Sequence, residues 1–562
     1  MIFSDFSGGI SDSILRGVDG SFATLVGLNI HETPGLITPN QKLSINSGYV
    51  ITELCKNVVN ASDGNTYFFS SESGKIWKKT SADVYTLVHT NTKGANLGAK
   101  EYNGYIYYVG AGFLGRQSVA LAASEASWSS QDDDYQTFTN AETVFAPMEE
   151  QNGILFIGNG NLIASFDETT FQTAALDLPS YFRISALYPW GIELLVGTYV
   201  GAGTTNLAKT NYCKLFRWNT YTTDSWNDSD VIYEAGINAF IPADNNVFVQ
   251  AGINGQIYYY NGSQLIPYRK IPGTFSATAY GLVYANAVGW FKGLPIFGFS
   301  NSPDTANSTG NPANCGIYSL GQFSPNYKRV LNLEFPLSVI NPLASVEIGS
   351  IITIGNNVYS SWKKKLTITL SITNPCVVAP YSLGITNGTE VKFITTGALP
   401  TGITAGTAYY VRTTIINTIN LYDTAAHAID TGATTGRITT SGTQSGVHTM
   451  SWAGVDKIDY TTKYASAYLE TLVFNKGIFN KELYELFASY YSMPTGCSLS
   501  FSTKKNYASS WTASPTPENE TEYGLIRTQD NMRFIKAIQF KINFTTSSNN
   551  APILDYIGFN FN

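Results

Sequence analysis

The side chains from which metal, redox or hydrolytic chemistry is usually built are few and scattered in this chain. Its four histidines, His31, His89, His427 and His448, form no HxxxH or HExxH pair. That spacing would set two imidazoles on one helix face, towards a zinc ion. No two of the five cysteines, Cys55, Cys213, Cys315, Cys376 and Cys497, fall within 50 residues of each other. This is neither a disulfide framework nor a zinc spacing, and buried free thiols in a reducing compartment are expected. Gly110, Gly112 and Gly115 spell GxGxxG, but strand-like sequence flanks them on both sides. No helix N-terminus follows that could hold a pyrophosphate. A P-loop and a GxSxG nucleophile elbow are both absent from the sequence.

Two acidic features remain. Asp132, Asp133 and Asp134 read as a solvated loop, with a calcium site as the weaker reading. The run Ser71-Glu72-Ser73-Gly74-Lys75-Ile76-Trp77 loosely resembles the Asp-box turn of sialidase-type propellers, with Glu for Asp and in a single copy. A glycosidase needs two carboxylates across one pocket, and the sequence pairs none. The expectation is a protein without catalytic residues, cofactor or metal. The 36 Tyr, 31 Phe and 9 Trp residues could stack on sugars, but filling the interfaces between sheets is the expected role.

The elements that would position any site are strands. The chain has 562 residues, 13% of them charged, and a formal net charge of −7. Low, slightly negative charge argues against binding nucleic acid by phosphate neutralisation. No run of 18 apolar residues occurs, so no transmembrane helix is expected. The opening MIFSDFSGGISDS lacks the basic and apolar regions of a signal peptide. From 48 to 360, short runs rich in Tyr, Phe, Val, Ile and Thr are cut by Asn-Gly, Asp-Gly and other Gly-containing turns, the pattern of hairpins. Leu483, Leu486, Phe487 and Tyr490 have helical spacing, yet Pro494-Thr495-Gly496 and an alternating run follow. A hairpin is the reading preferred there.

A two-strand pattern recurs. Its second strand is anchored at Ile76, Val119, Ile163, Leu215, Ile257, Ile317 and Val358, 41 to 60 residues apart. A period of this size with about four strands per unit predicts a β-propeller of six or seven blades. Residues 366–450 change abruptly to Thr, Gly, Ile and Ala, and read as a small β domain inserted into a propeller loop. Residues 466–562 carry strands without the repeat and read as a C-terminal β-sandwich. The expected organisation is an all-β chain: arm 1–45, propeller 46–365 with 451–465, insertion 366–450 and sandwich 466–562.

The first 45 residues carry the most specific pattern. Phe6, Gly8, Gly9 and Ile10 are followed by Asp12, Arg16, Asn29 and Glu32, then Pro34-Gly35-Leu36 and Pro39. This resembles the opening of bacteriophage tail nozzle proteins, also called tail tubular protein B, of short-tailed phages. The arginine that often precedes the final proline is missing here. The run TNGTEVKFITTGALPTGITAGTAYYV is similar to a module common in phage virion proteins, as is Gly454-Val455-Asp456-Lys457-Ile458.

The resemblance implies a virion structural protein assembled in the host cytoplasm. It implies a homo-oligomeric ring, a hexamer, below the portal and adaptor and beside tail-fibre proteins. DNA would pass through without specific binding, and the protein would carry no membrane anchor. A carbohydrate-binding or glycosidase-like propeller that recognises the host surface is the alternative. An extended arm with a double glycine cannot bury itself. Phe6, Gly8, Gly9, Ile10, Pro34 and Gly35 are therefore candidate inter-subunit contacts, unless the segment closes the propeller ring onto its last blade. The basic clusters Lys363, Lys364, Lys365 and Lys504, Lys505 are expected to lie away from the ring's lumen.

Overall fold

The computed structural model of the chain describes all residues except 1, 4–5, 12, 14, 16–19, 34, 124–127, 129–131, 139–143, 202–211, 272–280, 302–314, 323–328, 338–344, 380–384, 416–417, 433, 476–480, 522–523 and 562. The fold is all-β and propeller-like. Five sheets stand as separate four-stranded antiparallel units, beginning with Cys55–Asn60, Gly98–Tyr102, Met148–Gln151, Phe182–Trp190 and Ile237–Ala243. Two further four-strand units lie within larger sheets and begin with Gly281–Phe291 and Ser345–Ile354. Each of these first strands lies against the first strand of the next unit, and Ser345–Ile354 packs back onto Cys55–Asn60. Hairpin turns such as Asn103-Gly104 and Asn152-Gly153, all at positive φ, reverse the chain between strands.

A small sheet cannot bury its own faces, and here neighbouring sheets bury one another. Tyr67, Phe69 and Ile76 of the first sheet share a core with Ile106, Tyr108 and Phe113 of the second. Phe68, Trp77 and Tyr85 of the first sheet share another with Tyr359 and Val455 of the seventh. The aromatic residues thus fill interfaces between sheets, each ring removing a large apolar area from water.

The seventh unit is composite. Ser345–Ile354, Asn357–Leu370 and His448–Lys463 are followed at the outer edge by Gln41–Ile45 from the start of the chain, paired antiparallel with His448–Lys463. The N-terminal segment therefore closes the ring. The repeat pattern drifts at two places. Val119 lies one residue beyond its strand, Phe113–Ser118. The seventh copy matches the first and second strands of its unit, whereas the other six match the second and third. Its third strand comes from beyond the insertion, so no local repeat could mark it.

Asn357–Leu370 and His448–Lys463 pair continuously from Tyr359 opposite Lys457 to Ile368 opposite His448. They run past the ring into a closed order of six strands, with Val377–Ala379, Thr418–Tyr422, Tyr409–Ile415 and Glu390–Thr395 between them. This small barrel has its own core of Leu366, Val378, Val391, Phe393, Val411 and Leu421, among others. Positions 366 and 450 thus fall inside two continuous strands.

At the other end, Ser21–Val26 lies parallel to Val330–Pro336 of the sixth unit and antiparallel to Tyr468–Thr471. The sixth unit thereby extends into Ile538–Thr545, Ser498–Lys505 and Thr512–Ala513. A second sheet, ordered Ile2–Phe3, Ile553–Phe561, Lys481–Ser492, Leu525–Ile535 and Glu518–Glu520, packs on it through Phe540 and Phe559, whose ring centroids are 4.5 Å apart. Lys481–Ser492 is a strand. It and Ser498–Lys505 pair in different sheets, so the expected hairpin is replaced by a crossover between the two sheets.

Candidate functional site

Where the first strands converge, they enclose a central cavity of about 200 Å³. The first four sheets contribute Lys56 and Asn57, Ala99, Met148 and Glu149, Ser185 and Leu187, and the sixth unit Tyr284 and Asn286. The polar groups on its wall are extensively bonded to one another. Asn286 Nδ2 donates to Asn57 Oδ1 at 2.7 Å and to the Lys56 carbonyl at 3.1 Å. Asn57 Nδ2 donates to the Asn96 carbonyl at 3.2 Å. Ser185 Oγ donates to the Ile237 carbonyl at 2.5 Å. Tyr284 OH donates to Glu347 Oε1 at 3.1 Å, and Lys365 lies 3.4 Å from the other Glu347 oxygen. Glu149 is neutralised by Lys100 at 2.6 Å. Lys56 Nζ sits 4.3 Å from the centroid of the Tyr284 ring, a cation–π contact. Leu97, Phe145, Pro147 and Met148 form the apolar part of the wall. None of these residues stood out in the sequence, where they are scattered over five similar strands and the loops that precede them. The signal available was the position of Lys56, Asn57, Ala99, Met148, Glu149, Ser185, Tyr284 and Asn286 on the first strand of their repeats.

The candidate arm residues lie elsewhere. Phe6, Gly8, Gly9 and Ile10 are buried within the same chain, and Phe6 stacks on Phe22 at 5.8 Å. A Cβ on Gly9, whose φ is +61°, would stand 2.7 Å from the Leu331 carbonyl oxygen, and one on Gly8 would collide with Ser21. The double glycine lets the arm pass between two backbones. No neighbouring subunit is needed to bury it. Asn29 Oδ1 accepts from His31 N and Glu32 N, both at 3.0 Å, and so holds the following turn. Gly35 is exposed at φ +84° with open space around it. Asp12, Arg16 and Pro34 lie outside the described residues.

The acidic candidates serve the fold. Asp132–Asp134 is a 3-10 turn, and Asp133, far from being solvated, is fully buried. It accepts from Tyr108 OH at 2.6 Å and pairs with His89 Nε2 at 2.7 Å, and His89 stacks on Trp128. In the Asp-box-like turn, Glu72 Oε1 accepts from Leu54 N at 3.1 Å and meets Lys363 at 2.7 Å. Glu53 beside it is buried, which would raise its pKa. Hydrogen bonds from Ser70 and Ser73 and the Lys75 ammonium outweigh that burial and hold it below the usual carboxylate range. Lys392 of the small barrel reaches Glu53 at 3.7 Å, tying barrel to ring. Gly110, Gly112 and Gly115 belong to a β-hairpin, Tyr105–Gly110 with Phe113–Ser118, which offers no helix N-terminus. Of the basic clusters, Lys364 lies over the Trp362 ring and Lys504 over Trp511. His427 pairs with Asp423, and His448 with Thr395 and Gln444. Among the described residues, no group of three His, Cys, Asp or Glu is placed to hold a metal ion. No helix of the described residues is long and apolar enough to cross a membrane.

No protein-family model and no curated protein matches the sequence. Solved structures with a similar course of chain include virginiamycin B lyase from Staphylococcus aureus, 14% identical over 58% of this chain and 94% of that one, with a TM-score of 0.35. The WD40 domain of Neurospora crassa Pan2 is 8% identical over 57% of this chain and 86% of that one, TM-score 0.32. An extracellular domain of a two-component system from B. thetaiotaomicron is 11% identical over 77% of this chain, TM-score 0.38, and this chain spans about half of its length, 51%. These likenesses concern the propeller-like fold alone.

Proposed function

We propose that the chain is a structural subunit of a short-tailed phage tail, of the nozzle type. It would be a seven-bladed propeller closed by its N-terminal strand, with an inserted six-stranded barrel and a C-terminal β-sandwich. The observation that carries the reading is the course of residues 6–45, which bear the nozzle-like pattern. They join the sixth unit to the C-terminal sheets through Ser21–Val26 and complete the seventh through Gln41–Ile45. One segment thus ties the ring to the C-terminal sheets, as suits a part that bears load without turning over a substrate. The acidic and histidine candidates are spent on structural pairs, which fits a role without catalysis.

In this reading, identical subunits form a hexameric ring in the virion, between the portal and adaptor and the tail fibres, and DNA passes without being gripped. Cryo-EM of the purified protein and mass measurement in solution test it. A six-fold ring with a lumen wide enough for duplex DNA supports the reading. A monomer that cleaves or binds host polysaccharide overturns it in favour of a surface-recognition propeller.

A further inference from the structure

We propose that the open edge of Ser498–Lys505 receives an extended, uncharged segment of another protein chain as an added β-strand. Three observations lead there. First, a buried pair of backbone groups lacks its partner. Leu499 stands opposite Phe544, and Phe544 N donates to the Ala467 carbonyl, on the other side of Ile538–Thr545, at 2.9 Å. The main-chain groups of an antiparallel ladder alternate in direction, so the N–H and C=O of Leu499 point out of the sheet edge. Leu499 is only 2% exposed, and among the described residues nothing pairs these two groups. Buried main-chain donors and acceptors are almost always paired. Second, the chain's own strand begins to cover this edge and then leaves it. Thr512–Ala513 pairs with Ser502 and Thr503, and Ser514 N donates to the Phe501 carbonyl at 3.0 Å. Continued, that register would bring Thr516 opposite Leu499. Instead Thr528 Oγ1, from the second C-terminal sheet, donates to the Pro515 carbonyl at 3.0 Å. Pro515 and Pro517 have no N–H to offer, and the chain joins that second sheet as Glu518–Glu520. Third, the vacated place is a groove of about 540 Å³ whose lining, from Ser498 and Ser500 across to Thr516 and Asn519, carries no charged side chain. An uncharged segment matches it, and a strand satisfies both Leu499 groups at once. The guest residue opposite Leu499 would point to the same face as Leu499 and Phe501, which share one core with Ile526, so an apolar side chain suits it. This goes beyond the proposed structural role and does not depend on it.

The test is titration of the full chain with the acetylated, amidated pentapeptide Ser-Thr-Val-Thr-Ser, with the same peptide N-methylated at valine, and with maltotriose. Calorimetry and hydrogen exchange read at single amides follow the binding. Without peptide, the Leu499 amide should exchange faster than that of Ser500, which faces Ile538–Thr545. Saturable one-to-one binding of the peptide is expected, in the range of about 0.1–1 mM for so short a segment. At about ten times its Kd, the Leu499 amide should exchange about tenfold more slowly. The N-methylated peptide cannot donate to the Leu499 carbonyl and should bind about tenfold more weakly. Thr516→Trp, at an exposed position on the groove wall, should abolish binding. No saturable binding of the peptide, equal binding of its N-methylated form, binding unchanged in Thr516→Trp, or binding of maltotriose in its place would each overturn the proposal. So would a dimer that protects the Leu499 amide without peptide, because a second copy would then fill the edge. The comparison of the two peptides on the unaltered chain decides the matter even if the variant fails to fold.

Discussion

His31 Nε2 lies 3.9 Å from a carboxylate oxygen of Glu334, with only 7% and 4% of the two side chains exposed. Asn40 Nδ2 donates to Glu334 at 2.5 Å, Ser319 Oγ at 2.6 Å and Asn332 Nδ2 at 2.9 Å. The N-terminal segment supplies His31 and Asn40, and the sixth unit supplies the rest. Burial raises the Glu334 pKa from 4.5 to about 7 despite those three donors, and lowers that of His31 from 6.5 to about 4. Alone, the carboxyl would favour folding fully below pH 4.5 and lose that contribution as pH rises through about 7. Alone, the imidazole would favour folding fully above pH 6.5 and lose its contribution as pH falls through about 4. Between 4.5 and 6.5 the folded pair holds one proton, on Glu334, and the unfolded pair also holds one, on His31.

The two slopes therefore cancel, and the unaltered junction is expected to be flat with pH in that window. Glu334→Gln should leave stability rising with pH, and His31→Gln should leave it falling. The limiting slope is about 1.4 kcal/mol per pH unit in each case, with opposite sign. Urea midpoints measured across the window check this. Parallel profiles for the two variants would refute the pairing.

The double glycine makes a second prediction. Gly9→Ala forces a Cβ to within 2.7 Å of Leu331 O and 2.8 Å of Val330 Cβ at a φ of +61°. A loss of about 2 kcal/mol or more is expected. Gly35→Ala has the same kind of φ, +84°, but open space around it, so about 1 kcal/mol is expected. Equal losses in denaturant melts would show that the arm is not held between those backbones.

These positions also show what could be read from the sequence. The local hairpins and their 41–60-residue recurrence were legible, because turn glycines and apolar strands are neighbours in the chain. The change of composition marked residues 366–450, but both bounds fall inside strands that continue into the seventh unit, and the double glycine gave no sign that its partners are Ser21 and Leu331 of the same chain. Ring closure was open between two readings, because Gln41–Ile45 meets residues more than 400 positions later and nothing local marks the partner. Asp133 was read as solvated for a similar reason. An acidic triplet looks like a loop until Tyr108 and His89, from two other strands, are seen to enclose it. The cavity was illegible because no strand gives it more than three residues, and loops supply the rest.

A third prediction concerns the small barrel. Two of its six strands, Asn357–Leu370 and His448–Lys463, also build the seventh unit, so the place to cut matters. Replacing 371–447 by a short Gly/Ser link keeps the ladder from Tyr359 opposite Lys457 to Ile368 opposite His448. Leu366, Ile368, Met450 and Trp452 then lose their core and should be changed to Thr or Ser in the same variant. The remaining chain is expected to unfold in one cooperative transition with native-like far-UV circular dichroism. A broad, non-cooperative melt would mean that the ring depends on the barrel.

The last prediction tests the seam between the first and seventh sheets. Asp83 sits in the turn before the outer strand of the first sheet, at φ +61°. It bonds Lys79 at 2.9 Å on its own sheet, and Lys457 at 2.7 Å and Tyr359 at 2.9 Å on the seventh. Burial alone would raise its pKa, but Lys457, Lys79 and Tyr359 pull it from 3.8 down to about 2. Its contribution is therefore present above pH 3.8 and lost as pH falls through about 2. Asp83→Asn tolerates the same left-handed backbone and removes only the charge. At pH 7 the variant should be less stable by about 1 kcal/mol, a figure reduced for the solvent that reaches the site. The gap should narrow as pH falls towards 2, and shrink in high salt. Because Gln41–Ile45 pairs with the strand that carries Lys457, the same substitution should also speed proteolytic release of the N-terminal segment. A deficit that persists unchanged down to pH 2 would show that the seam is held by packing of Phe68, Trp77, Tyr359 and Val455 alone.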